Sequence, residues 1–471
     1  MTATLLDRLR EIVGVPQVLS ADDDLAAFEI DWRKRGRGKA LAVVRPGSTE
    51  EVAAVIAQCV EHHIPIVTQG GNTGLVGASV PDASGTQLLL SLTRLNRIRG
   101  IDPANLTMTV EAGCILQNIQ EAAAAHGFLY PLSLAAEGSC TIGGNLATNA
   151  GGTQVLRFGS ARDLCLGLEV VTADGEVWNG LNGLRKDNTG YDLRHLFIGS
   201  EGTLGVITAA TLKLYPRPAA VTTAWVTLDS VDAAVTLLQN AQTRLGAALT
   251  GFELMGEFAL SLVRSQFADL QQPLPPAAWT VLLEQSDTES QAHARGLFEG
   301  ILEQMLEQGV IRDAALAETI DQSRAMWRLR ESIPLAQSQE GLNIKHDISV
   351  PVSKIPAFVH STDAALAAAF AGIRMVNFGH LGDGNLHYNV QAPAGSDAVN
   401  FLIDNEKAVN RLVYAAVAAH GGSISAEHGI GSIKREALLQ YKSPVAIKLM
   451  RQIKRALDPH NLFNPGRLIE P

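Results

Sequence analysis

At 471 residues the chain is too long for one ordinary hydrophobic core, so two or three domains are expected. Hydrophobic residues make up 46%, enough to fill them, and a formal charge of -10 argues against general affinity for nucleic acid. No apolar run is long enough to span a bilayer and the first ten residues hold no signal core, so a cytoplasmic location is the expectation. Cys59, Cys114, Cys140 and Cys165 form no Cys-x-x-Cys pair and read as structural thiols.

In chain order, Leu5, Leu6, Leu9 and Ile12 recur at helical spacing and open an N-terminal helical segment, residues 1–41. The basic run from Arg33 to Lys39 reads as a solvated loop. A first α/β domain is expected over 42–217. Ala42-Val43-Val44 forms a strand, Ser48-Thr49-Glu50-Glu51 caps a helix reaching Val60, and Ile64-Pro65-Ile66-Val67 forms the next strand. Further strands are expected near 88–92, 107–111, 168–172 and 205–214, before Pro216 and Pro218 mark a boundary. Residues 218–420 read as a layered α+β domain, with strands over 224–228, 280–284 and 374–378 and helices over 231–245 and 288–308. The tail, 421–471, holds a glycine-rich turn, a helix near 443–457 and the coil Asn464-Pro465-Gly466.

Three glycine-rich segments punctuate the first domain: Gln69 to Gly77, Gly138 to Gly152, and Gly199 to Thr208. Glycine leaves no Cβ in the way of backbone N–H groups converging on a phosphate. Neither Gly-x-G-x-x-Gly nor a Walker loop occurs, so the cluster points to a long diphosphate cofactor held outside both classical motifs.

Between two apolar runs lies Gly379-His380-Leu381-Gly382-Asp383-Gly384-Asn385-Leu386-His387-Tyr388-Asn389. Gly-Asp-Gly-Asn is strong turn chemistry, and a hairpin with a four-residue tip pairs His380 with His387 and Leu381 with Leu386. The two imidazoles then share a face, as a metal requires, with Asn389 on the same side. A third ligand is available from Glu427 or His428 in Ser425-Ala426-Glu427-His428-Gly429-Ile430-Gly431. Arg330 and Lys345, from Trp327-Arg328-Leu329-Arg330 and Asn343-Ile344-Lys345-His346-Asp347, are candidates for holding carboxylates.

The order of the three glycine segments, over roughly residues 40–217, resembles the FAD-binding domain of the vanillyl-alcohol oxidase and para-cresol methylhydroxylase superfamily. The His380 and Glu427 segments resemble its D-2-hydroxyglutarate and D-lactate dehydrogenase branch. The resemblance implies an α+β fold: a PCMH-type FAD-binding domain of two α/β subdomains, an α+β substrate-binding cap, and a C-terminal helical segment packing on the flavin site. It implies that Gly70, Gly71, Asn72, Thr73, Gly74, Ser79, Pro131, Ser139, Thr141, Gly144, Asn145, Asn149, Gly151, Gly152 and Ile207 line FAD. Covalent members carry a histidine where this chain has Asn72, so the flavin is expected to be non-covalent. By the same resemblance His380, His387 and Glu427 bind zinc or a similar divalent ion, and His428 is the catalytic base. Arg330, Lys345 and Asn389, with His428, then bind the substrate. Some relatives carry a threonine where Pro334 stands here, which removes one hydroxyl from the substrate site. The activity implied is oxidation of a D-2-hydroxy acid to the 2-oxo acid, foremost D-2-hydroxyglutarate to 2-oxoglutarate. D-Lactate, D-malate and glycolate, or a flavin subunit of a larger electron-transfer assembly, stand as alternatives. The partners implied are an electron-transfer flavoprotein or quinone as acceptor, with a homodimer as the assembly.

Overall fold

Ser48 lies in extended backbone and its hydroxyl accepts from the Glu51 amide at 3.2 Å, so the helix Thr49–Glu61 begins where the Ser-Thr-Glu-Glu run sets it. In the computed structural model, which describes residues 2–34 and 37–471, that helix connects two strands that flank a third, each parallel to it, in a four-stranded sheet. Its order is Val18–Leu19, Ala40–Val44, Gln87–Ser91 and Ile66–Gln69, antiparallel only at the first pairing. The helix packs Val52, Val55, Ile56 and Cys59 into one core with Leu88, Leu90 and the N-terminal Leu5 and Leu9. Arg35 and Gly36 of the basic run lie outside the described residues.

The α/β alternation gives parallel strands only in this first sheet. Ile98–Asp102, Thr107–Glu111, Val206–Lys213, Cys165–Val171 and Val177–Gly180 pair in that order as a wholly antiparallel sheet. Glu169, nearly buried on its strand, binds three neighbours. It accepts from Thr49 Oγ1 at 2.6 Å and Thr208 Oγ1 at 2.9 Å, and it pairs with Arg99 at 3.0 Å. The carboxylate therefore fastens the helix start to both sheet strands.

These sheets belong to a unit assembled from Met1–Gly151, Gly159–Pro216 and Glu427–Pro471. The late segment is part of its interior. Ile66 donates to the Leu462 carbonyl and accepts from the Asn464 amide, both at 2.7 Å, and Phe463 joins the core. Lys454 in the helix Pro444–Leu457 is 1% exposed, which is tolerated because Nζ donates to Thr203 O (2.8 Å), Phe463 O (2.9 Å) and Asp458 (2.5 Å).

The second unit comprises Gly152–Phe158 and Arg217–Ala426, its main boundary falling between Pro216 and Arg217. Its antiparallel sheet runs Asp313–Leu316, Ala220–Leu228, Trp279–Asp287, Leu249–Gly256, Arg374–His380, Asn385–Gln391 and Asn343–Ile344. Asp347–Ser349 also pairs with Asn385–Gln391. The expected helices appear as Val231–Leu245 and Gln291–Glu307, each capped by a serine that accepts a backbone amide. Trp225, Leu282, Met255, Phe378 and Leu329 share one core, so the helices Glu257–Gln266 and Ile320–Glu331 are held against the sheet by apolar packing. No helix among the described residues is long and apolar enough to cross a membrane.

Candidate active site

In the first unit the glycine segments meet because they lack side chains. A Cβ on Gly70 would stand 2.2 Å from Thr141 Oγ1, and one on Gly71 would stand 2.0 Å from the Ser139 carbonyl. Two clefts of about 620 and 600 Å³ share Thr141. Gly70, Ser79, Gly144 and Ile207 line the first, and Gly71 and Ser139 the second. The hydroxyls of Thr68 and Thr141 are buried at this surface without a hydrogen-bond partner among the described residues, polar atoms that a cofactor would satisfy. The cradle thus fits a long, polar-edged group such as FAD.

Three asparagines of the expected FAD set serve the loops. Asn72, at φ 54°, donates to Ile30 O (2.8 Å) and accepts from Ser79 Oγ (2.9 Å). Asn149, at φ 51°, accepts from Ser160 Oγ (2.9 Å) and the Arg162 amide (3.0 Å). Asn145 is buried against Cys140. Thr73, Gly74, Pro131 and Gly151 line neither cleft, and Gly152 falls in the second unit.

Glu427 and His428 are half-buried in the first unit, Glu427 Oε1 standing 3.9 Å from His428 Nε2. The turn after them wraps a buried carboxylate. Glu201 accepts from the Ile430 and Gly431 amides, each at 2.7 Å, and belongs to the third glycine segment. Burial raises its carboxyl above the ordinary value, with those two amides opposing.

The second unit carries the histidine hairpin, and its register differs from the expected one. Phe378, not His380, pairs with His387. The reason lies in the tip: the four residues Leu381–Gly384, a 3-10 turn followed by Gly384 at φ 85°, form the connection one residue earlier in the chain than a tip over 382–385 would. His380 and His387 are consequently diagonal neighbours on one face, with ring centroids 5.4 Å apart. The shared face expected of the two imidazoles is kept while the direct pairing is lost.

Behind His380 stands Glu253, directly opposite it on the adjoining strand. Glu253 Oε1 lies 2.6 Å from His380 Nδ1, and Oε2 accepts from Arg330 Nε at 2.8 Å and Nη2 at 2.7 Å. Burial pushes this carboxyl up, but the charges and hydrogen bonds of His380 and Arg330 outweigh it and hold Glu253 below its ordinary value. Arg330 also lies over the Phe378 ring, 4.9 Å from its centroid.

Lys345 is half-buried between the short strands Asn343–Ile344 and Asp347–Ser349. Asn389 is buried, with Oδ1 accepting from the His346 amide (3.0 Å) and Nδ2 donating to Gln337 (2.9 Å). Pro334 stands at the start of the helix Ile333–Glu340, where its ring suits the first turn. Sequence reasoning missed Glu253 and Asp347, the latter paired with His387 across the strands. The available signal was an acid within an apolar strand, Phe252-Glu253-Leu254 and His346-Asp347-Ile348.

Residues 40–180 match the model described as "FAD binding domain", and residues 217–468 match "FAD linked oxidases, C-terminal domain". The chain belongs to the FAD-linked oxidase family. Within it, a protein of Xanthomonas citri pv. viticola named D-2-hydroxyglutarate dehydrogenase is 39% identical, covering 100% of this chain and 98% of that one. The Rattus norvegicus protein named "D-2-hydroxyglutarate dehydrogenase, mitochondrial" is also 39% identical, over 96% of this chain and 82% of that one. A structure of para-cresol methylhydroxylase with substrate bound shares the fold, with a TM-score of 0.77 at 18% identity over 99% and 96% of the two chains. As an FAD-linked oxidase of this branch, the chain is an FAD-dependent hydroxy-acid dehydrogenase.

Proposed function

We propose that the protein oxidises D-2-hydroxyglutarate to 2-oxoglutarate, with a divalent metal, foremost zinc, held by His380, His387 and Glu427. Bound FAD supplies the hydride acceptor, and the cation supplies Lewis acidity towards the 2-hydroxyl and the C1 carboxylate. His428 takes the hydroxyl proton as the C2 hydride leaves. Arg330, Lys345 and Asn389 orient the substrate, turning its binding energy into alignment. The electrons then pass to an electron-transfer flavoprotein or a quinone, in a cytoplasmic setting.

The observation that carries this reading is the state of Arg330. Its Nε and Nη2 are committed to Glu253, its side chain is 7% exposed, and its Nη1 has no acceptor among the described residues. A buried guanidinium with open donors suits a carboxylate. With Lys345 as a second cation, a diacid can engage both cationic groups by its two carboxylates, whereas a monocarboxylate can engage fewer of these contacts. A charge-assisted hydrogen bond contributes about 1.5–3 kcal/mol, roughly ten- to a hundredfold in selectivity. In a dye-reduction assay D-2-hydroxyglutarate should exceed D-lactate in kcat/KM by at least that order, and Lys345→Met should narrow the gap by harming the diacid. Equal efficiencies for the two acids in the unmodified enzyme would refute the reading.

A further inference from the structure

Glu253 sits within the apolar strand Leu249–Gly256 and is 0% exposed. An isolated carboxylate there would cost several kcal/mol, so what it pairs with decides why it can stay charged. Both oxygens are used: Oε1 by His380 Nδ1 at 2.6 Å, and Oε2 by the Nε–Nη2 edge of Arg330 at 2.8 and 2.7 Å. The same small cluster closes on itself, because Phe378 lies under Arg330 and its ring centroid is 4.8 Å from that of His387.

We infer that Glu253 is a positioning residue for the oxidation, setting a metal ligand and a substrate-binding arginine through one carboxylate. For His380 the consequence is a choice of tautomer. Neutral imidazole carries its hydrogen on one nitrogen, and an acceptor at Nδ1 keeps it there, leaving the Nε2 lone pair for a cation. For Arg330 the consequence is a choice of edge. The Nε–Nη2 fork is spent on Glu253, so the Nη1 edge is the one presented to a ligand. Because the carboxylate lies on a third element, apart from the strand of His380 and the helix of Arg330, a shift of either partner must strain the other contact.

The inference rests on the proposal that His380 binds metal and Arg330 binds a substrate carboxylate, and its test separates the two. Full-length, FAD-loaded wild type and Glu253→Gln are loaded with zinc and titrated with a competing chelator, followed by zinc content per flavin. Wild type should retain one zinc per flavin, and failure to do so would overturn the parent proposal and this inference with it. Glu253→Gln should release zinc at a ten- to a hundredfold lower chelator concentration, the usual effect of removing such a partner, and KM for D-2-hydroxyglutarate should rise with flavin content unchanged. A zinc-retaining wild type beside a variant of equal zinc affinity and equal KM would overturn the inference alone. Should Glu253→Gln fail to fold, the ¹⁵N spectrum of histidine-labelled wild type decides, with His380 assigned from its loss in His380→Asn. A hydrogen on Nδ1, with and without zinc, supports the inference, and a hydrogen on Nε2 in the metal-free protein overturns it.

Discussion

Replacing Glu169 by glutamine removes a charge while keeping the side chain's size. In the structure the Glu169 carboxylate takes Thr49 Oγ1 at 2.6 Å, Thr208 Oγ1 at 2.9 Å and the Arg99 guanidinium at 3.0 and 3.1 Å. Glutamine keeps one acceptor oxygen and turns an amide towards Arg99. A hydrogen bond to a charged group contributes about 1.5–3 kcal/mol, and loss of a fully buried pair about 3–5 kcal/mol. The smaller figure applies, because Arg99 remains 29% exposed and keeps Glu111 at 3.3 Å. At roughly 2–4 °C per kcal/mol for a unit of this size, Tm should fall by about 3–12 °C at pH 7.

The pH dependence fixes the cause. Burial opposes ionisation of Glu169, but Arg99 and the two threonine hydroxyls hold its carboxyl below the ordinary value. A carboxylate depressed on folding contributes stability above the unfolded pKa and loses it as pH falls through the folded one. The gap between wild type and Glu169→Gln should therefore be full above about pH 4.5 and close below it. Thermal unfolding followed by circular dichroism and flavin fluorescence across this range reads it directly. A gap that is absent at pH 7, or that persists undiminished in acid, would refute the assignment of stability to this ion pair.

The purified protein should be yellow, and acid precipitation should carry the colour into the supernatant, since Asn72 replaces a linking histidine and is tied to Ile30 and Ser79. Gly71→Ala should lower flavin content per chain severalfold on gel filtration, because its Cβ would meet the Ser139 carbonyl at 2.0 Å and only a backbone shift could relieve it. Strong chelation, and separately His380→Ala, should abolish turnover while flavin absorbance stays with the protein; full activity in a metal-free preparation would end the metal proposal.

Much of this was legible from local pattern. The helix Val231–Leu245 and the strand Thr107–Glu111 appear at the residues their periodicity marked, since apolar spacing and a serine cap act within one element. The histidine hairpin was legible in kind but not in register, because the helical coil of Leu381–Asp383 depends on how its tip packs, not on the Gly-Asp-Gly-Asn composition. Glu253 was legible only as an acid set in an apolar strand, not by its partners. Its partners are 77 and 127 residues away, and nothing in Phe252-Glu253-Leu254 announces which distant strand and helix will neutralise it.

The interleaving of the units bears on how the protein can be made. The first unit needs Glu427–Pro471 to complete a core begun by Leu5 and Leu9, with Phe463 entering beside Ile66. While the ribosome is still translating, everything up to Pro216 must wait for more than two hundred residues before its last strand-like strap emerges, so the second unit has the opportunity to fold first. An amber codon before residue 427 would then leave a folded second unit tethered to an unfinished first one, and a separately supplied C-terminal peptide is the natural complement to ask for.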